Sequence, residues 1–486
     1  MTQITNRLSH WLLGIAIGVL ASLPASADED IRLPEIGAPS GVIITPAQER
    51  RLGRAFMRSV RNHYPVITDP LMSDYIQSLG NRLASHSSAS GQTFNFFLID
   101  NDVVNAFAGP AGHIGIFTGL LLTTETESEL ASVVAHEIAH VSQKHLVRTF
   151  DEVSRMNLPM AALTLAAVLV GGGSQLGSAA MAGLQAGMVQ NQINFTRANE
   201  NEADRIGIKT LAETGFDPRS MPVFFERMGR AGRFVGSELP EFLRTHPITI
   251  NRIAESRGRA ETYPYRQYPA DTRYYLLRAT LKEKQHSNPK DAVLFFQKTL
   301  TDGRYRNEIG QRYGYVLALI RNRDYKTARS ELDKLLKAEP QQIAFQIAEA
   351  NLYQASGDLE RAIATLKDAL ELSPGNYPLT MSYTQTLLYA NQPALARATL
   401  EKLAPTRPYD ASMYEVLAQA TGDSGDVNLA HEYLASHYYL SGRLIQAKQH
   451  LEIALRDTEI SLFRGERMSA QLKRVQRELA ELNQRK

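Results

Sequence analysis

Two histidines four residues apart flank a glutamate in the stretch His136-Glu137-Ile138-Ala139-His140. On a helix this spacing puts both imidazoles on one face, where they can reach a single zinc ion. Glu137 points toward the ion's open position, placed to take a proton from the attacking water and hand it to a leaving amine. A catalytic zinc needs three protein ligands, and a chain without cysteine must supply them as histidine and carboxylate. Glu200, in Glu200-Asn201-Glu202-Ala203-Asp204, is the candidate third ligand. It sits on a separate helix, Asp204 shares its face one turn on and can orient a neighbouring ligand, and small Ala203 permits close approach. Glu202 points elsewhere. The chemistry these types and spacings support is peptide-bond hydrolysis, with zinc polarising the scissile carbonyl. A chance match on a polar surface helix is the competing reading. Leu130, Val133, Val134, Ile138 and Val141 speak against it, because they surround the metal-facing stripe with apolar side chains.

Thr126 and Glu129 have the spacing of a capping box for that helix. Just before it, Phe94–Ile99, Val103–Phe107 and Ile114–Phe117 read as short strands of a small sheet, whose edge offers backbone hydrogen bonds to an extended peptide. Thr45-Pro46 and Asp69-Pro70 each predict a helix start, with a capping side chain followed by proline at the first helical position. Gly215 ends the helix of Glu200, and Asp217-Pro218 opens the next. His246-Pro247 stands at a loop-to-helix junction ahead of Arg252. His145 lies five residues beyond His140, off the ligand face, so a surface or supporting role is expected of it; His113 reads as structural.

The 486 residues suffice for two or three domains, and a formal net charge of +2 gives no footprint for nucleic acid. Residues 1–27 read as a secretory signal: Arg7, an apolar core from Trp11 to Leu23, and Ala25-Ser26-Ala27 as a cleavage site. Without cysteine there is neither a disulfide framework nor a lipid-attachment cysteine, and the expected address is the periplasm of a Gram-negative bacterium. Leu158–Gln190 is the least polar part of what remains. Its twelve-residue apolar run from Pro159 to Val170 is too short to span a bilayer, leaving a buried helical hairpin, a lid or a peripheral membrane contact.

The C-terminal half repeats. Gly357, Asn391 and Gly425 are spaced 391 − 357 = 34 and 425 − 391 = 34, and Ala328, Ala362, Ala396 and Ala430 keep the same step, as do Pro340, Pro374 and Pro408. A period of 34 with small residues at the helix crossing is the tetratricopeptide signature. The expected fold is an α+β zincin-like metalloprotease domain (28–263), a linker (264–275) rich in Tyr, Pro and Arg, and an all-α repeat domain (276–486).

His136–His140, then Glu200–Gly207, then Thr245-His246-Pro247 with Arg252, resemble metallopeptidase family 48, the gluzincins that include the CAAX prenyl proteases and HtpX. The resemblance implies Glu137 as the catalytic base, His136, His140 and Glu200 as ligands of one Zn²⁺, Asp204 behind them, and His246 over the metal as a regulatory fourth ligand. Signal, catalytic domain and C-terminal repeats together are similar to the periplasmic branch of that family. That likeness implies partners: unfolded or misassembled outer-membrane β-barrel proteins, the barrel-assembly machinery and the lipopolysaccharide-transport barrel. The alternative is chiefly an assembly chaperone or scaffold with a mostly latched protease site.

Overall fold

The computed structural model describes residues 45–89, 91–146, 186–234, 241–457 and 460–483. The signal segment, and nearly all of the apolar stretch 158–190, lie outside these residues. The capping residues act as their types require. Thr45 and Gln48 close a full capping box at the start of helix α1 (Pro46–His63), and Asp69 accepts from the N–H groups of Leu71 and Met72 at the start of α2 (Pro70–Ala84).

Three strands follow: β1 (Asn95–Ile99), β2 (Ala106–Ala108) and β3 (His113–Phe117), in the order β1-β3-β2. β1 runs parallel to β3 and β2 antiparallel to it. β2 begins three residues later than Val103–Phe107 suggests. The Asn105 side chain bonds the N–H of Ala106, and the Val104 carbonyl accepts from Phe242 rather than from a strand.

Short α3 (Thr118–Thr123) leads into the central helix α4 (Glu127–Ser142). Its capping box is only half formed. Thr126 accepts from the Glu129 N–H, but the Glu129 carboxylate turns to the N–H of Glu125 and to Arg227. From Leu130 to Ala139 every residue of α4 is buried, so it is a core helix on all sides and not an amphipathic one. α5 (Ala186–Thr214) crosses it closely at Gly207, where a Cβ would stand 2.9 Å from Met221 and 3.3 Å from the His136 backbone nitrogen. α6 (Ser220–Phe234), the five-residue α7 (Glu241–Thr245) and α8 (Ile250–Ala260) complete the layer, with Thr249 capping α8. The turn at Asp217-Pro218 precedes α6 by two residues.

The repeats begin at α9 (Thr272–Lys284) and continue as paired helices: α10 (Pro289–Thr301), α11 (Glu308–Arg321), α12 (Tyr325–Ala338), α13 (Ile343–Ala355), α14 (Leu359–Leu372), α15 (Tyr377–Tyr389), α16 (Pro393–Leu403), α17 (Ala411–Asp423), α18 (Val427–Leu440), α19 (Leu444–Ala454) and α20 (Leu462–Asn483). Their period is written in the backbone: Arg323, Gly357, Asn391 and Gly425 all hold positive φ at intervals of 34 (357 − 323 = 34). At each, the chain must reverse in the left-handed region between paired helices. Ala328, Ala362, Ala396 and Ala430 are buried at the crossings.

α9 serves both parts. Tyr274, Leu277 and Leu281 belong to the core around α4, while Leu276 and Ala279 belong to the first repeat core. Further along, Arg407 bonds Asp74 of α2 at 3.0 Å, and Arg58 of α1 bonds Glu478 of the last helix at 2.6 Å. Among the described residues no helix is long and apolar enough to cross a membrane.

Candidate active site

Helix α4 presents His136 and His140 with their Nε2 atoms 3.0 Å apart. α5 brings Glu200 against both, Oε2 3.4 Å from His136 Nε2 and Oε1 3.3 Å from His140 Nε2. The residue after α7 brings in His246, whose Nδ1 lies 3.3 Å from His136 Nε2 and 3.1 Å from both Glu200 oxygens. His136, His140, Glu200 and His246 each offer a ligand atom, and these atoms lie within 4.8 Å of one another.

This arrangement fits a tetrahedral metal ion. Ligand atoms about 2.0–2.1 Å from a zinc stand about 3.3 Å apart along a tetrahedral edge. Five of the six pairs among the four groups measure between 3.0 and 3.4 Å. The donor set of three imidazoles and a carboxylate suits zinc, and the apolar ring of Phe242 lies against His246, with ring centroids 5.1 Å apart.

Burial and charge act against each other here. Burial pushes the Glu200 carboxyl up, but the His246 charge and hydrogen bonds from His136 and His140 outweigh it and hold the group well below the carboxylate range. Burial likewise raises Asp204, yet hydrogen bonds from His136 and Arg252 bring it below its usual value. For His136 burial works downward, but Asp204 and Glu200 lift it to about 10; His140, with burial as the leading cause, is lowered. Two ionised carboxylates thus draw positive charge to this spot, and a divalent cation supplies it directly.

Behind the ligand group, His136 Nδ1 is 3.0 Å from Asp204 Oδ1. Arg252, 3% exposed, grips Asp204 with two bonds of 2.8 Å and reaches Glu200 Oε2 at 2.9 Å and the Pro247 carbonyl at 2.9 Å. One guanidinium therefore ties α8 to both acidic residues and to the chain just past His246. Glu137 is buried beside the cluster, with Oε1 3.3 Å from His246 Nε2. The structure therefore brings all six anticipated residues together: His136, Glu137, His140, Glu200, Asp204 and His246.

What sequence reasoning missed is the work of Arg252, noticed only as part of a motif. Of the two roles expected of His145, surface or supporting, the geometry fits the second: it is buried, with one ring nitrogen 3.0 Å from His140 and the other 3.1 Å from Glu202. No helical spacing could have placed it, because α4 has already ended when the chain reaches it. Apart from this site, His113 sits on β3 beside Asn95, its imidazole lowered to about 4 by burial and by Arg61.

Comparison with known proteins agrees with this geometry. The model of Peptidase family M48 matches residues 70–260, and a Tetratricopeptide repeat model matches residues 353–420. The Beta-barrel assembly-enhancing protease of Escherichia coli (strain K12) is 34% identical over 471 residues, 96% of this chain and 95% of that one. The protein of the same name in Yersinia pestis is 32% identical over 478 residues, covering 98% of each. The Mitochondrial metalloendopeptidase OMA1 of Arabidopsis thaliana is 34% identical over only 164 residues, 34% of this chain and 31% of its own. The chain belongs to peptidase family M48, together with these beta-barrel assembly-enhancing proteases.

Proposed function

We propose that this metallopeptidase is a zinc-dependent endopeptidase of the Gram-negative periplasm that degrades misassembled outer-membrane β-barrel proteins and assists their assembly, the lipopolysaccharide-transport barrel included. The repeats (276–486) dock substrates or the barrel-assembly machinery, and residues 28–263 carry the chemistry. The observation that carries the reading is the convergence of two imidazoles, a carboxylate and a buried glutamate base in a chain related along nearly its whole length to proteases of that name.

In this reading His136, His140 and Glu200 hold the ion, which when bound polarises the scissile carbonyl and makes water a stronger acid. Glu137 accepts the proton of the attacking water and later delivers it to the leaving amine. Asp204 fixes the ring of His136, and Arg252 keeps Asp204 ionised and in place. An extended segment of substrate would lie along the β2 edge of the small sheet, since the β1 edge is taken up by the chain at Pro65 and Ile67.

Glu137→Gln is the direct test. It removes the base and leaves every ligand, so peptide cleavage should fall by about 10²–10⁴-fold while metal content and fold persist. Full activity in that variant would overturn the assignment. If Glu200→Ala keeps its metal while Glu202→Ala loses it, the wrong carboxylate has been chosen.

A second reading rests on His246. An imidazole within ligand distance of the group suits a mostly latched protease that acts chiefly as an assembly chaperone or scaffold. The two readings separate on whether barrel assembly in cells survives Glu137→Gln.

A further inference from the structure

Glu202 does not join the metal group and His145 lies beyond the helix that carries it, yet the two meet behind His140. We propose that His145 and Glu202 are positioning residues that hold His140 in the tautomer and orientation a metal ligand requires. The proposal rests on the reading of His140 as a ligand.

His140 turns Nε2 toward the cluster, 3.0 Å from His136 Nε2 and 3.3 Å from Glu200. Its rear nitrogen, Nδ1, lies 3.0 Å from His145 Nδ1, and His145 Nε2 lies 3.1 Å from Glu202 Oε2. With neutral rings, one placement of hydrogens satisfies both contacts. If His140 Nε2 keeps its lone pair for a metal, Nδ1 carries the hydrogen and donates it to a bare Nδ1 on His145. The hydrogen of His145 is then on Nε2 and donates to the carboxylate. An ionised carboxylate can only accept, so Glu202 sets the tautomer of the second ring and, through it, of the first.

The two ligand imidazoles are thus backed alike. His136 leans on Asp204 directly, and His140 leans on Glu202 through one intervening ring, both carboxylates coming from α5. The ring is needed because Glu202 stands about 200° around the helix from Glu200. The chain delivers it by a sharp reversal. After Ser142 ends α4, Lys144 takes φ +54° with its N–H on the Val141 carbonyl, and the backbone swings His145 back to His140. A residue with a side chain pays about 1 kcal/mol or more for that conformation, and such strain is kept where a constellation depends on it. His145 is 3% exposed, so its bonds face little competition from water.

Groups of this kind are worth about 10–100-fold in metal affinity. The experiment uses the full chain, with zinc affinity read by competition against a chromophoric chelator, the ligand-field spectrum of the Co²⁺-loaded protein, and circular dichroism of the metal-free form. His145→Leu removes the acceptor and should lower zinc affinity about 10–100-fold and shift the Co²⁺ bands. His145→Asn keeps an oxygen close to the Nδ1 position and should recover most of the affinity. Glu202→Ala should fall below Glu202→Gln, which still offers an acceptor, and this pair carries the comparison if His145→Leu fails to fold. Wild-type affinity and spectrum in both folded His145→Leu and folded Glu202→Ala would overturn the proposal, as would equal losses in His145→Asn and His145→Leu. His140→Ala separates the two levels of inference: if it binds zinc as the wild type does, the ligand assignment itself is wrong.

Discussion

His246 faces both halves of the chemistry at once. Its Nδ1 stands 3.1 Å from the Glu200 carboxylate, and its Nε2 stands 3.3 Å from Oε1 of Glu137. A single side chain can therefore fill the position that water needs and engage the base that would activate that water. The chain before it is pinned as well, since the Phe242 N–H donates to the Val104 carbonyl at the head of β2. Moving His246 means moving a segment hydrogen-bonded beside the sheet edge along which an extended peptide would lie.

If His246 is a latch, His246→Ala should raise basal proteolysis. A minor open state populated at about 0.1–10% predicts a gain of about tenfold or more, because the closed fraction no longer subtracts from activity. Cleavage of an unfolded reporter, and self-cleavage on gels, read it out. A loss of activity in folded, zinc-loaded His246→Ala protein would instead assign the ring to substrate binding or transition-state support.

The bidentate contact between Arg252 and Asp204 should behave as a buried ion pair with a functional load. Arg252→Ala leaves Asp204 and Glu200 without their cation and should cost about 3–5 kcal/mol of stability. Asp204→Asn keeps the shape but weakens the hold on His136, and should lower zinc affinity about 10–100-fold with a smaller change in melting temperature. Equal thermal losses in the two variants, with unchanged zinc affinity in Asp204→Asn, would contradict this division.

Metal removal should loosen the junction of α4, α5 and the chain at His246 together. A ligand present at about a thousand times its dissociation constant adds about 4 kcal/mol to stability. Chelation should accordingly lower the unfolding temperature of the wild type, and should leave His136→Ala nearly unmoved. Parallel scans of both proteins with and without chelator decide it.

Separating the two parts of the chain depends on where it is cut. Glu127 accepts from the Tyr75 hydroxyl at 2.9 Å and from the Asp271 N–H at 2.8 Å, and Arg278 donates to the carbonyls of Leu121 and Thr124. A truncation that begins at Asp271 strips Tyr274, Leu277 and Leu281 from the catalytic core. At about 1.5–3 kcal/mol for each fully buried large side chain, it should unfold or aggregate. A chain ending at Gln285 retains them and should bind zinc while losing its partners. Circular dichroism and partner crosslinking of the two fragments provide the check, and a well-folded fragment ending at Ala270 would refute the prediction.

Much of the site was legible because local geometry writes it. His136 and His140 share a face for the reason that any residues four apart on a helix do, and Glu200 with Asp204 obeys the same rule. The repeats were legible because each unit makes the same turn, so the positive-φ positions recur every 34 residues. The end of α4 was not. Lys144, a poor residue for a left-handed turn, takes that conformation at φ +54°, and nothing in its type announces it. The strand at Val103–Phe107 was overdrawn for a related reason, since the Val104 carbonyl accepts from Phe242 of α7 and the Asn105 side chain turns to the neighbouring Ala106 N–H.

By itself, then, the sequence determined the shared face of His136 and His140, the glutamate between them, the acidic helix and the period of the repeats, all of which follow from spacing along one element. Tertiary structure decided what lies across elements: that His246, 110 residues from His136, reaches the same point; that Arg252 bridges Asp204 and Glu200; and that Tyr274 beds in the catalytic core. It also decided that Glu202, which points away from the ligand face, finds His145 behind His140. Helical periodicity fixes which way a side chain leaves its own axis. Which neighbour it meets depends on how closely the helices cross, and that is set by packing at places such as Gly207.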